Sequence, residues 1–206
     1  MTLFASIARP IAWPLFMAMF RVRLIGRENI PKSGGAILAG NHVSYMDPVL
    51  LWEFAPRPTH FMAKSELFRG FPGWVLNNAY AFPVVRGSAD RTAIATATKL
   101  LEDGELVGIF PEGTRSSDGS PGEAHGGVSF IAMRAGVPVI PVAFIGTDTV
   151  LPRGQKFIHP ARVTIKFGAP IDPATFTEGS RKERMEALTA TIMKRIAEEL
   201  EAARRL

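Results

Sequence analysis

The stretch "AILAGNHVSYMDPVLLWEFA" (residues 36–55) changes character part-way along. Up to Asn41 it is a short apolar run with the composition of a buried strand. Asp47 and Pro48 then suit the cap and the first position of a helix over "VLLWEFA". Strand, turn and helix make up the repeating unit of α/β layering, and the same alternation continues outward from here. "HFMAKS", "YAFPVV", "ELVGIF", "VPVIPVAFIG" and "ARVTIKFG" read as further strands. "SADRTAIATATKLLEDG", with Ser88 available as a cap and Gly104 as a stop, and "GGVSFIAMRAG", stopped by Gly136, read as helices. From Ser180 a capping box with Glu183 opens a last helix, with Met185, Leu188, Ile192, Ile196 and Leu200 on one stripe. The expectation is a single α/β domain: a mixed sheet flanked by helices, with a docked C-terminal helix.

Composition narrows the chemistry. With 206 residues, 47% of them hydrophobic, and no linker-like segment, the chain holds one sizeable core. The 24 Lys and Arg against 19 Asp and Glu give a net charge of +5, which favours anionic partners. The basic residues are dispersed without an aromatic array, so nucleic acid is not expected among them. Cysteine is absent, which excludes thiol nucleophiles, thiolate metal sites and disulfides. Residues 3–20, "LFASIARPIAWPLFMAMF", match a membrane helix in length but carry Arg9, Pro10 and Pro14. A broken amphipathic segment lying in the membrane interface is expected, its cations in "RVRLIGR" meeting lipid headgroups. Residues 1–30 are accordingly assigned to membrane association and 31–206 to the catalytic domain.

Two segments carry polar groups suited to chemistry. His42 and Asp47 are five apart, which on one regular helix would set them about 140° apart. In a turn between strand and helix, Asp47 can instead fold back on His42, fix its tautomer and leave the other ring nitrogen as a base. The second segment, "GIFPEGTRSSDG" (108–119), runs an apolar strand into a polar turn. Such loops at strand ends are where α/β sheets bind ligands. Gly113 permits close backbone approach, Thr114 adds a hydroxyl and Arg115 a fork that fits phosphate. Glu112 can accept from a substrate hydroxyl or hold Arg115, and backbone N–H groups near Gly113 are candidates for an oxyanion site. The serine-hydrolase elbow, the phosphate loop and the dinucleotide fingerprint are all missing. His60, His125 and His159 are scattered without metal-ligand spacing, so no metal or other cofactor is expected.

Taken in order, "ENIPKSGGAILAGNHVSYMDP", "AKSEL", "AFPVVRG", "FPEGTRS" and "VPVIPVAFIGT" resemble the motif series of the 1-acyl-glycerol-3-phosphate acyltransferases, within the glycerophospholipid acyltransferase superfamily. The resemblance covers nearly the whole chain. It implies that His42 is the general base and Asp47 its partner. It also implies that Glu112, Gly113 and Arg115, with Thr114 between them, form the acceptor site, that Arg86 binds the acceptor phosphate, and that Lys64 stands on a lysine frequent in the family. The implied substrates are acyl-CoA or acyl-carrier protein and lysophosphatidic acid, at the cytoplasmic face of a membrane. Glycerol 3-phosphate or another lysolipid is the alternative acceptor, and a non-catalytic module for anionic lipid the alternative class. The chain departs from the family pattern in two places. Ala124 and His125 stand where Phe-Lys is common, and Val85 where an aspartate often precedes Arg86.

Overall fold

Seven short segments, most of them apolar, pair into one sheet because none of them can bury both faces alone. In this computed structural model the described residues are 2–205, apart from 86–89, 116–121, 123, 125 and 156. The strands are β1 (Arg23–Ile25), β2 (Ala36–Gly40), β3 (Thr59–Lys64), β4 (Ala81–Val84), β5 (Leu106–Ile109), β6 (Val139–Ile145) and β7 (Thr164–Phe167). Their order is β1-β7-β6-β2-β5-β3-β4. All pairs are parallel except β6 with β7, so the sheet is mixed, as expected. β1 is an addition to the strands read from the sequence. Three residues in a basic stretch show no periodicity, and β1 exists through its pairing with β7.

Alternate side chains of the central strands go to opposite faces, so each strand contributes to two cores. Ile37, Ala39, Val107 and Val139 pack beneath α4 (Arg91–Glu102), α5 (Gly127–Ala135) and α7 (Arg181–Arg204). The expected stripe of α7 supplies Leu188, Ile192, Ile196 and Leu200 to this layer, and its Ser180/Glu183 capping box is formed. Ala36, Leu38, Leu106, Ile140 and Phe144 face the other way. There they meet Leu50, Leu51 and Phe54 of α2 (Met46–Phe54) and Val150 of the short α6 (Thr147–Val150). The start of α4 is capped by Asp90, whose Oδ1 accepts from the Thr92 and Ala93 N–H groups at 3.0 Å each. Ser88, the cap expected from the sequence, lies outside the described residues.

The N-terminal segment forms one continuous helix, α1 (Leu3–Phe20), which corrects the expectation of a broken one. Pro10 and Pro14 both sit on its exposed side, so the hydrogen bonds they delete lie away from the body. The opposite side is held by contacts that fix the helix path. Trp13 meets Phe54 edge-on at 4.7 Å, and Phe4 lies against Trp74 of α3 (Gly70–Asn78) at 5.5 Å. The Arg9 guanidinium donates to the Glu53 and Ala55 carbonyls at 2.8 and 2.6 Å, which satisfies the end of α2. Glu53 itself is fully buried, and neither carboxylate oxygen has a hydrogen-bond partner. Burial pushes its pKa up to about 7, against the opposing pull of Arg9.

Candidate active site

Four parallel strands end at one edge of the sheet: β2 leads to His42, β5 to Glu112, β3 ends on Lys64, and β4 ends at Val84. Ala39 pairs with Ile109, so the His42 turn and the Glu112 turn leave the sheet at the same level. Asn41 anchors the first of them. Its amide donates to the Phe144 carbonyl at 3.1 Å and accepts from the Phe144 N–H at 2.8 Å, clamping the end of β2 to β6.

Beyond Asn41 the chain wraps around the Asp47 carboxylate. Oδ2 lies 2.8 Å from His42 Nδ1 and accepts from the Val43 and Ser44 N–H groups, also at 2.8 Å. The expected fold-back is present, although its details differ. α2 begins at Met46, so Asp47 is inside the first helical turn and no side chain caps the helix. Asp47 serves the turn before the helix, with three donors converging on one oxygen. An ionised carboxylate only accepts, so Nδ1 carries the proton and Nε2 is left as the basic nitrogen. No described residue bonds to Nε2. The ring stacks on Phe110 at 4.2 Å, and His42 keeps 7% of its surface exposed while Asp47 keeps none. The imidazole is thereby held on one side by an apolar face and on its edge by a charge.

The Glu112 turn closes over this pair. Glu112 Oε1 accepts from the His42 N–H at 3.4 Å, and the side chain is 5% exposed. The Glu112–Arg115 pairing weighed from the sequence is not formed. Arg115 instead lies over the Tyr45 ring, 3.6 Å from its centroid, which places a guanidinium beside the His42 turn. Gly113 has a φ of 66°, a conformation that glycine adopts without strain. Its N–H donates to the Phe110 carbonyl at 3.0 Å, so this one of the N–H groups in the turn is not available to an oxyanion. Thr114 is exposed on the turn.

The remaining expected residues join less directly. Lys64 is at the same edge of the sheet, but its ammonium pairs in solvent with Glu66 at 3.1 Å. Arg86 falls outside the described residues, as does His125, one of the departures from the family pattern. Asn41, Phe110 and Tyr45 were not singled out in the sequence, though each adjoins a motif that was: Asn41 precedes His42, Phe110 precedes the Pro-Glu-Gly turn, and Tyr45 sits between His42 and Asp47. Among the described residues no three His, Asp or Glu side chains converge as metal ligands.

Comparison with known proteins bears on this geometry. The family model described as Acyltransferase matches residues 21–145, the span that contains both turns. The chain belongs to the acyltransferase family. This acyltransferase is 34% identical over 179 residues to the 1-acyl-sn-glycerol-3-phosphate acyltransferase of Bacillus subtilis, covering 86% of this chain and 87% of the relative. It is 31% identical over 190 residues to the enzyme of that name from Borreliella burgdorferi, covering 91% of this chain and 74% of the relative. The crystal structure of the 1-acyl-sn-glycerophosphate (LPA) acyltransferase from Thermotoga maritima superposes with a TM-score of 0.77 at 30% identity. That match covers 94% of this acyltransferase and 78% of the other chain.

Proposed function

We propose that this acyltransferase transfers a fatty acyl group from a thioester, acyl-CoA or acyl-carrier protein, to the sn-2 hydroxyl of 1-acyl-glycerol 3-phosphate, forming phosphatidic acid. The relatives' names support the reaction and the acceptor. The observation that carries the mechanism is the 2.8 Å contact between His42 Nδ1 and Asp47 Oδ2. Nε2 of His42 takes the hydroxyl proton as the oxygen attacks the thioester carbonyl carbon. The carbon–sulfur bond then breaks, and the imidazolium returns the proton to the departing thiolate. The buried Asp47 charge stabilises the imidazolium between these steps. Oxygen replaces sulfur on the acyl carbon without an acyl-enzyme, and the residues need no metal or other cofactor.

Arg115 and Arg86 bind the acceptor phosphate in this reading, with Lys64 contributing charge at the same edge. Glu112 positions the His42 turn through the main chain, and Gly113 and Thr114 shape the acceptor side of the pocket. The acceptor and product stay in a bilayer, which suits the outer face of α1. That helix is long and apolar enough to cross a membrane by length and composition, and it is 11% buried. Because its inner face is already docked on α2, we place it in the interface. Arg21, Arg23 and Arg27 follow it and favour the anionic cytoplasmic leaflet. Residues 1–30 then serve membrane association and 31–206 catalysis.

The test is transfer from a labelled thioester to lysophosphatidic acid, glycerol 3-phosphate and a zwitterionic lysolipid. The expected result is phosphatidic acid from wild type and a loss of about 10²- to 10⁴-fold in folded His42→Ala. Product from none of the acceptors would move the chain to a lipid-binding role.

A further inference from the structure

At the edge of the sheet away from His42, the end of α5, the segment 173–177 and the start of α7 enclose a cleft of about 360 Å³. Its floor and walls include Met133, Pro173 and Phe176, and three arginines, Arg134, Arg181 and Arg184, line it. Three arginines on one concavity give it a positive potential that favours an anion, with Arg134 and Arg181 exposed and Arg184 half-buried. The described residues supply nothing of that kind. None of the ion pairs formed among them involves these arginines. Of the carboxylates nearest in sequence, Glu183 accepts from the Ser180 N–H at 2.7 Å, Glu186 pairs with Lys182 at 3.7 Å, and Glu178 is exposed and forms no ion pair with the three arginines. Nε of Arg184 is shut off from solvent and has no hydrogen-bond partner.

Structural roles account for part of this arrangement. Arg134 lies in the last turn of α5, where the helix dipole favours a cation, and Arg181 rests over the Phe130 ring at 5.3 Å. Neither contact consumes the guanidinium N–H donors. A planar fork with free donors matches the oxygens of a phosphate, and the cleft is within the size range of small-molecule sites. We infer that this cleft is a second anion site that binds a phosphate monoester through Arg181 and Arg184, with Arg134 adding charge. The apolar surface of Met133, Pro173 and Phe176 accommodates the carbon chain attached to the phosphate.

A phosphate monoester reaches such a cleft either as a soluble metabolite or as a lipid headgroup, and the experiment separates these sources. The full chain is titrated calorimetrically with glycerol 3-phosphate and with dihexanoyl phosphatidic acid below its micelle concentration. The same titrations are run on Arg181→Gln/Arg184→Gln and, as a control at the other site, on Arg115→Gln. The expected result is a binding event that weakens at least about 10-fold in the double variant and survives in Arg115→Gln. Similar affinity for both ligands assigns the site to soluble phosphates; tighter binding of the short-chain lipid by about 10-fold or more assigns it to a headgroup. Ala174→Glu, which places a carboxylate on the exposed rim, gives the same loss if the double variant does not fold. Binding that is identical in wild type and in a folded cleft variant overturns the inference.

Discussion

Asp47 gathers three donors onto one carboxylate oxygen and leaves the other without a partner, although the residue is wholly buried. In the proposed reaction the charge on this carboxylate is what stabilises His42 once the ring takes up a proton. Asp47→Asn retains an oxygen for the Val43 and Ser44 N–H groups but no longer stabilises an imidazolium. Its kcat is expected to fall about 10²- to 10⁴-fold with little change in KM for the thioester. Steady-state rates with a thermal melt check this, and a wild-type kcat would refute the role. Glu53, the other buried carboxylate of α2, affects stability instead. Its pKa is raised from 4.5 to about 7, so between those values the folded chain holds a proton that the unfolded chain has released. Stability therefore falls as pH rises through that window, by at most about 3 kcal/mol in total. Glu53→Gln should flatten the dependence between pH 5 and 8 in denaturant titrations.

Among the elements, α1 is apolar on both sides, and only one side is packed against the body. The inner side meets α2 and α3, while Leu3, Ile7, Ile11 and Leu15 form an exposed stripe at four-residue spacing. Phe71 and Trp74 of α3 extend the exposed apolar surface beside it and stack at 6.0 Å. Replacing Ile7, Ile11 and Leu15 with glutamine should lower vesicle partitioning on the order of 10²-fold and leave the melting temperature unchanged, because no core contact is lost. Co-sedimentation with liposomes measures the first and calorimetry the second. The length and hydropathy of α1 were legible in the sequence; its continuity was not. Proline breaks a helix when the lost bonds are decisive, and here Trp13, Arg9 and Phe4 fix the path from the docked side. The strands β2, β5 and β6 were legible because burial on both faces leaves unmixed apolar runs, and β3 and β7 because buried and partly exposed positions alternate along them. β1 carries no such mark.

For the whole molecule, the net charge of +5 would add a long-range attraction to the proposed contact of α1 with lipid. Binding to vesicles containing phosphatidylserine should exceed binding to purely zwitterionic vesicles and should decline between 50 and 500 mM salt (about a twofold to fourfold change in screening length), whereas the apolar contribution persists. The candidate site was partly legible at this scale as well. The types and order of His42, Asp47, Glu112 and Arg115 indicated acid–base and phosphate chemistry. Their mutual contacts depend on strand neighbours that no local pattern reveals. Phe110 reaches His42 because β5 lies beside β2, and Asn41 clamps Phe144 because β6 lies on its other side.

That placement of β2 between β5 and β6 sets an order of assembly during synthesis. The His42–Asp47 contact closes a loop of a few residues and can form as soon as the turn leaves the ribosome. The bond from Glu112 to His42 spans seventy positions, and the Asn41–Phe144 clamp spans one hundred and three. Each must wait for its partner strand to be made, and each closes a longer loop at a greater entropic cost. A nascent chain halted before β6 would therefore hold the acid–base pair in a turn with one of its two walls absent. If the pair acts as proposed, competence for acyl transfer arrives late in translation, well after α1 has emerged.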